Sequence, residues 1–383
     1  MNRFASKSLP ALAALTAFAL AACVPASGPG TRMVATPLVE SSVTVTPPAI
    51  LAAPPGSAAP SPLPGGSSQS LMAQGLSKLQ AGDYAGAESD FTARIQEDSQ
   101  DALAYLGRGV SFAARSMWEN AAEDFSRALA IDQELPEALS GRGEAYLNLD
   151  RLDEALADFD QFIRLRPDEP SGYRQRAWIQ LLQQHPERVA SDVNRAAELE
   201  GERAEGQHLM GLAQVEQGDY RGALLSQSKA LELAATEGLG DSFAAAVLAS
   251  RGQAYQELAE YPAAYDDLTR ALQIGGPSVR VYELRAMVFY SQKRYADSAA
   301  DHARAIGVDP NSAVLYNNLA DSRMLDGNLD QALLDIETAL RLDPQLGIAH
   351  YTKGEILEKM GRQTESQEAF KRAGELGFVP ETP

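Results

Sequence analysis

Five arginines in this chain are each followed, sixteen residues later, by an aspartate. A planar guanidinium can hold a carboxylate with two parallel hydrogen bonds, so this spacing predicts ion pairs. We expect each pair to join two neighbouring helices in a structural role, with a contribution of about 0–1 kcal/mol where it is partly exposed. The predicted pairs are Arg108 with Asp124, Arg142 with Asp158, Arg176 with Asp192, Arg251 with Asp267 and Arg285 with Asp301.

No arrangement of residues in the sequence points to catalysis, a metal ion or a cofactor. The four histidines are spread along the chain and lack the spacing of a zinc-binding motif such as H-E-x-x-H; they are His185, His208, His302 and His350. The sequence also lacks a glycine-rich phosphate loop and a G-x-S-x-G nucleophile motif. We therefore predict a protein that is not an enzyme and binds no cofactor.

The only cysteine, Cys23, lies at the end of a short export signal. Arg3 and Lys7 precede an apolar stretch over residues 9–22, which is too short to be a permanent bilayer anchor. The sequence LAAC at residues 20–23 resembles the bacterial lipobox, in which the cysteine is acylated and becomes the new N-terminus. This resemblance implies a signal peptide over residues 1–22 and lipidation of Cys23. Ordinary cleavage that leaves a free thiol is the alternative.

The residue after the cysteine bears on the choice of membrane. In enteric bacteria an aspartate there retains a lipoprotein in the inner membrane, whereas this chain has Val24. The lipobox resemblance therefore implies an exported protein that is anchored to the outer membrane and faces the periplasm. Inner-membrane sorting is the alternative if the organism does not follow the enteric rule. Residues 24–67 contain ten prolines and two charges, so residues 23–67 are predicted to be a lipidated cysteine and a disordered tether.

The chain is acidic, with a formal net charge of −19. Proteins that bind nucleic acid present basic surfaces to phosphate, so this charge argues against a nucleic-acid partner. It argues equally against a membrane surface held by electrostatic attraction. The charge permits an envelope protein with a basic surface or segment as partner. Solubility of a long exposed fold is the alternative explanation.

A small residue recurs every 34 residues, which predicts a solenoid of repeated units. In each unit, two apolar stretches at helical spacing flank a polar break, so the unit is predicted to be helix, turn, helix. We expect the helix backbones to approach most closely at the small residues. These residues are Gly75, Gly109, Gly143, Ala177, Gly211, Gly252, Ala286, Ala320 and Gly354. The predicted units are 68–101, 102–135, 136–169, 170–203, 204–237, 245–278, 279–312, 313–346 and 347–380, with an insert at 238–244 that lengthens the helices around it.

The pattern resembles the tetratricopeptide repeat (TPR) over residues 68 to about 380. The unit at 136–169 supplies the family's bulky, small, aromatic and proline positions with Leu139, Gly143, Tyr146, Ala155, Phe159, Phe162 and Pro167. The resemblance implies an all-α, right-handed α-solenoid of about nine helix-turn-helix repeats, preceded by the disordered linker. In the fourth unit Gln180 replaces an aromatic residue and His185-Pro186 enters the turn, so we expect this hairpin to be the least regular.

The resemblance also implies that the first helix of each unit lines a concave groove that binds a partner. Trp178, Tyr290 and Asn317 are expected to be exposed there, whereas Leu79 and Leu181 are expected to pack between helices. For the remaining predicted partner-binding residues, packing between adjacent first helices is the alternative to contact with a partner. The predicted partner-binding residues are Met72, Leu76, Leu106, Val110, Arg174, Trp178, His208, Leu212, Glu283, Met287, Tyr290, Asn317, Asp321, Tyr351 and Glu355.

The predicted function is a membrane-tethered protein–protein interaction scaffold or adaptor in the bacterial cell envelope. A cell-wall hydrolase or a protease is an example of the expected partner. The alternative is a pilotin or assembly factor for a pilus or secretion system, and an enzyme is disfavoured by the residue inventory. The sequence leaves open the identity of the partner, the oligomeric state, and whether the groove takes a peptide or a helix.

Overall fold

The computed structural model describes residues 67–379 of the chain. The signal peptide over 1–22, the lipidation site Cys23 and the tether as far as residue 66 lie outside the described residues. Within 67–379 the chain forms eighteen α-helices and no strand, which confirms the predicted all-α helical-repeat fold. The helices are α1 (Ser67–Gln80), α2 (Tyr84–Glu97), α3 (Ala102–Ala114), α4 (Trp118–Ile131), α5 (Pro136–Asn148), α6 (Leu152–Leu165), α7 (Pro170–Leu182), α8 (Pro186–Glu200), α9 (Ala204–Glu216), α10 (Tyr220–Glu237), α11 (Asp241–Glu257), α12 (Tyr261–Gly275), α13 (Val279–Ser291), α14 (Tyr295–Val308), α15 (Ala313–Leu325), α16 (Leu329–Leu342), α17 (Gly347–Lys359) and α18 (Gln363–Glu375).

The helices belong to two compact units. Of the described residues, 67–217 form the N-terminal unit and 218–379 form the C-terminal unit. The N-terminal unit consists of four antiparallel hairpins, α1–α2 to α7–α8, followed by α9. The C-terminal unit consists of α10 followed by four hairpins, α11–α12 to α17–α18. None of the helices in the described part of the chain is both long and apolar enough to cross a bilayer.

In the turn between the first and second helix of each repeat, one residue has a positive φ and so adopts the left-handed backbone conformation. The positions follow the same 34-residue period as the small residues, and glycine occupies only four of them. The left-handed conformation crowds the Cβ of other residues, at a cost of roughly 1–2 kcal/mol each. These turn residues are Gly82, Ser116, Asp150, Gln184, Gly218, Ala259, Lys293, Gly327 and Gly361.

Four glycines at the 34-residue period make room for an aromatic ring rather than for a second helix backbone, which corrects the sequence interpretation at Gly75, Gly109, Gly143 and Gly354. An ideal Cβ on Gly109 would lie 2.8 Å from the ring of Phe125, and one on Gly141 would lie 2.6 Å from the same ring. Phe125 is fully buried and comes from the second helix of its hairpin. The ring is therefore wedged between the first helices of two successive hairpins, and it joins one repeat to the next.

Two expected irregularities have different outcomes. Helices α10 and α11, on either side of Gly238–Gly240, have 18 and 17 residues, whereas the other described helices have 13 to 15. The fourth hairpin was expected to be the least regular, and this was wrong, since α7 and α8 have ordinary lengths and Gln184 repeats the usual turn conformation. The reason is that Pro186 lies in the first turn of α8, where a backbone N–H has no acceptor within the helix. The missing N–H of proline therefore costs no helical hydrogen bond.

Candidate protein-interaction surface

In the structure, all five predicted Arg–Asp pairs are ion pairs between the two helices of one hairpin. Each guanidinium donates two hydrogen bonds to the carboxylate, with Nε–Oδ2 and Nη2–Oδ1 distances of 2.6–2.8 Å. The aspartates are buried and the arginines are partly exposed. Hydrogen bonding to Asp158 raises the pKa of Arg142, and the other four arginines are shifted in the same direction by their own partners.

Each of these arginines also donates a third hydrogen bond that the sequence analysis missed. The acceptor is a side chain on the second helix of the preceding repeat, at an Nη1–O distance of 2.7–3.3 Å. The arginine therefore links three helices rather than two. In four cases the acceptor lies sixteen residues before the arginine, and this periodic hydroxyl or carboxylate is the signal that could have been found. The acceptors are Thr92, Ser126, Asp160, Ser228 and Thr269.

One of the four histidines lies in the core. His302 on α14 is buried, and burial lowers its pKa to about 4. Its ring is therefore neutral at physiological pH. Among residues 67–379, no cluster of three or more His, Cys, Asp or Glu side chains has a geometry that could hold a metal ion.

The first helices of the N-terminal unit carry one residue each, spaced by 34, that defines what we call the N-terminal face: Leu76, Val110, Glu144, Trp178 and Leu212. Trp178 is half-buried, and Leu181, one turn along α7, is buried as expected. Met72 and Leu76 on α1 are also half-buried, as are Arg174 and His208. Arg174 is paired with Glu200.

Three residues predicted to contact a partner in this unit are core residues instead. Leu106 and Val110 belong to one buried cluster, and Leu212 belongs to another that also contains Leu181. The assignment of these three side chains to the partner-binding groove was therefore wrong. The physical reason is the close packing of neighbouring first helices, which covers aliphatic side chains before a partner can reach them.

The first helices of the C-terminal unit present a different set, which we call the C-terminal face: Glu283, Met287, Tyr290, Asn317, Asp321, Tyr351 and Glu355. Asn317 and Asp321 are each only 1% exposed, and Glu283 is buried as well. The expected exposure of Asn317 was therefore wrong. Its Nδ2 donates to Asn318 Oδ1 at 3.3 Å, and Asn318 Nδ2 donates to Glu283 Oε1 at 3.4 Å. Asn317, Asn318 and Glu283 therefore form a buried polar network between α13 and α15.

The aromatic residues of the C-terminal face are half-buried and contact other rings. The Tyr290 ring lies 5.4 Å from the ring of Tyr295, and burial raises the pKa of Tyr290 above its ordinary value. Tyr351 contacts Phe370 and Phe378 at centroid distances of 5.1 and 5.2 Å. Much of the aromatic surface on this face therefore packs within the unit.

Glu144, which the sequence analysis did not select, is the unusual group of the N-terminal face. It is half-buried on α5, and burial alone raises its pKa to about 7. Within residues 67–379 no lysine, arginine or histidine forms an ion pair with it, and no charged neighbour contributes to the shift. The available signal was its register, since Glu144 is the single acid in a 34-residue series whose other members are apolar or aromatic.

Comparison with known proteins identifies the repeats. Two family models, both described as tetratricopeptide repeat, match the chain, one at residues 72–136 and 317–377 and the other at 136–169. The matched segments are therefore similar to tetratricopeptide repeats (TPRs). TPR hairpins serve as scaffolds for protein–protein interaction, and the matched segments include parts of both units.

The curated relatives share only part of their length with this chain. It is 33% identical over 86 residues to Small glutamine-rich tetratricopeptide repeat-containing protein 2 of Mycosarcoma maydis, a match covering 22% of this chain and 24% of that protein. It is 32% identical over 100 residues to the DnaJ homolog subfamily C member 7 homolog of Dictyostelium discoideum, covering 25% and 19%. The chain thus spans a quarter or less of the length of these relatives.

Solved structures share the fold at low sequence identity. A tetratricopeptide repeat protein from Parabacteroides merdae ATCC 43184 matches with a TM-score of 0.54 and 16% identity, over 67% of this chain and 98% of that one. A chain of the APC/C hetero-tetramer Cut9–Hcn1 matches with a TM-score of 0.55 and 16% identity, over 67% and 46%. Likeness at this identity concerns the fold alone.

Proposed function

We propose that this protein is a membrane-tethered protein–protein interaction scaffold of the bacterial cell envelope, and that it binds its partner on the first helices of its repeats. The observation that carries this proposal is the partial exposure of Trp178, Met72 and Leu76 in a unit whose core is otherwise closed. Large apolar side chains at the centre of an interface supply most of its binding energy. Half-buried residues on a rigid helix also lose little conformational freedom when a partner covers them.

The envelope location is inferred from the N-terminal sequence. An export signal, the single Cys23 after Leu-Ala-Ala, and a proline-rich segment before the first repeat support a lipid-anchored scaffold with reach. A single acyl chain gives only marginal membrane binding, so stable attachment of a lipidated protein needs a second anchoring signal. We expect labelled palmitate to be incorporated into the wild-type protein and not into Cys23→Ser. The variant should also leave the outer-membrane fraction; retention there would remove the anchoring part of the proposal.

The scaffold role is tested by crosslinking pull-down of the full-length protein from native membranes. Trp178→Ala is expected to lose the enriched partner, because it removes the largest accessible side chain of the N-terminal face. Leu225→Ala, which truncates an exposed side chain on the second-helix side, is the control and should retain the partner. Equal recovery with both variants would contradict binding on the first helices. If deletion of the gene mislocalised a pilus or secretin subunit and left cell-wall enzymes intact, the result would support the assembly role instead of the adaptor role.

A further inference from the structure

We propose that the C-terminal unit binds a single-chain anionic amphiphile, such as a fatty-acid carboxylate, in an apolar cleft beside the insert, with Arg270 receiving the head group. The cleft is lined by α10, α11 and α12 and has a volume of about 290 Å³. None of the predicted partner-binding residues lines it. This inference therefore goes beyond the proposed function and does not depend on it.

The insert at 238–244 shapes one side of the cleft. It lies between α10 and α11, which have 18 and 17 residues, whereas α12 has 15. Gly238 ends α10 in the left-handed conformation, and the Leu239 N–H donates to Ala234 O at 3.0 Å. Gly240 is then the N-cap residue of α11. The short connection thus holds Leu239 at the end of α10, where it lines the cleft.

The cleft offers apolar surface that the unit itself covers only in part. Seven of its nine lining residues are apolar, and the other two are arginines. Leu248 on α11 is buried, whereas Leu231 on α10 and Ile274 on α12 are half-buried and pack against the same hydrophobic cluster. Leu239 is half-buried as well. An alkyl chain in the cleft would remove these side chains from water, and each buried methylene of the chain would stabilise the complex.

The charges at the cleft favour an anion. The described chain places no acid in its lining, although the sequence has 52 acidic and 33 basic residues. Arg251 is held by Asp267 with hydrogen bonds of 2.6 and 2.8 Å, so its charge is compensated. Arg270 is exposed and makes no ion pair within residues 67–379, and neither does Asp266, one turn before it on α12.

An uncompensated guanidinium beside apolar side chains defines the chemistry of the ligand. Arginine donates two parallel hydrogen bonds to a carboxylate or a phosphate, which fixes the position of the head group. Small-molecule sites combine a mostly apolar lining with a few polar groups of this kind. The ligand is therefore an alkyl chain that ends in an anion, rather than a neutral or cationic amphiphile.

The binding test titrates alkyl carboxylates into the protein by isothermal titration calorimetry. The full chain carries Cys23→Ser, which prevents acylation, so that no detergent competes for the cleft. From octanoate to nonanoate to decanoate the affinity should rise about four-fold with each methylene. Octanoate and octyl phosphate should bind at least ten-fold more tightly than octanol and octyltrimethylammonium. The two anions together show whether the site prefers a carboxylate or a phosphate head group.

Two substitutions in the same background assign the binding to the cleft. Ala235→Trp fills the cleft from an exposed position on α10 and should weaken decanoate binding at least ten-fold, whereas Ala300→Trp, at an exposed position on α14, should not. Arg270→Gln should remove the preference for anions. Arg221→Gln, which alters an exposed arginine of α10 outside the cleft, should keep it. Thermal unfolding checks that all four variants are folded.

The remaining outcomes would overturn the proposal. They are the absence of saturable binding, an affinity that ignores the head group, and unchanged binding in Ala235→Trp and Arg270→Gln. A protein segment is the other occupant to test, with an acetylated alanine peptide that carries one leucine followed by glutamate. Binding of this peptide without binding of decanoate would also overturn the proposal. In every case the scaffold role is judged separately, by whether Trp178→Ala loses its partner.

Discussion

The first helices of the two units carry different side chains on their faces and bury them in different ways. In the N-terminal face, Trp178 and Glu144 keep part of their surface accessible, and Glu144 has no charge partner among the described residues. In the C-terminal face, Asn317 and Glu283 are buried in a polar network, and Tyr351 packs on two phenylalanines. A repeat position therefore fixes where a side chain starts on the helix, while its neighbours decide whether it becomes core or binding surface.

The largest expected effect concerns a feature that both units share. Arg142→Met in the N-terminal unit and Arg251→Met in the C-terminal unit should each destabilise the protein by about 3 kcal/mol, because a buried aspartate loses its only bidentate partner. Urea unfolding followed by circular dichroism measures the loss. Arg127→Met, whose side chain is mostly exposed, is the control and should change stability little. A cost of less than about 1 kcal/mol in either unit would show that its pair is an ordinary surface ion pair.

The next effect should separate the two faces. Asn318→Ala breaks the network of the C-terminal face and leaves buried polar groups without their hydrogen bonds, so a loss of about 1–3 kcal/mol in unfolding free energy is expected. Trp178→Ala should lower the affinity for the partner more than it lowers the free energy of unfolding. Measuring both properties for both variants tests the comparison. Loss of the partner in a folded Asn318→Ala variant would show that the C-terminal face also takes part in binding.

A third prediction concerns the pH dependence of stability at Glu144. Its pKa rises from 4.5 in the unfolded chain to about 7 in the fold, so the folded state binds the extra proton between these values. Stability from this group is therefore present below pH 4.5 and lost as the pH rises through 7. Glu144→Gln should stabilise the protein at pH 8 by about 1–2 kcal/mol, after allowing for solvent screening, and should have little effect at pH 4. Equal effects at the two pH values would rule out the raised pKa.

The smallest effects concern the turns, which the two units share. Lys293→Gly relieves a left-handed backbone at φ 59° and should stabilise the protein by about 0.5–1 kcal/mol. Gly327→Ala, at φ 88° with open space around it, should destabilise by a similar amount through backbone strain alone. Thermal unfolding of the two variants should move the midpoint in opposite directions. Shifts of the same sign would contradict the strain argument.

The periodic features of the fold were predictable from the sequence, because they depend on residues within one repeat or in the next. The 34-residue spacing gave the helical hairpins, and the sixteen-residue spacing gave pairs such as Arg108 with Asp124. The room that Gly109 and Gly141 leave for Phe125 was not seen, since it requires knowing which ring points between which helices.

Exposure on the first helices was not predictable in the same way. Asn317 is polar and was expected to face solvent, yet Asn318 and Glu283 surround it with hydrogen-bonding groups that allow burial. Glu144 was passed over because an acid on an acidic chain carries no signal by itself. The pKa of Glu144 depends on how deeply the hairpins bury it, and the 34-residue spacing of small residues does not predict that burial.

Site-specific photo-crosslinking in the native host tests the central claim most directly. A benzophenone amino acid is placed at Trp178 on the N-terminal face or at Glu123, an exposed position on a second helix of the same unit. If the first helices recognise the partner, the probe at 178 should form a discrete crosslink to another protein and the probe at 123 should not. A crosslink from 123 with none from 178 would contradict the claim.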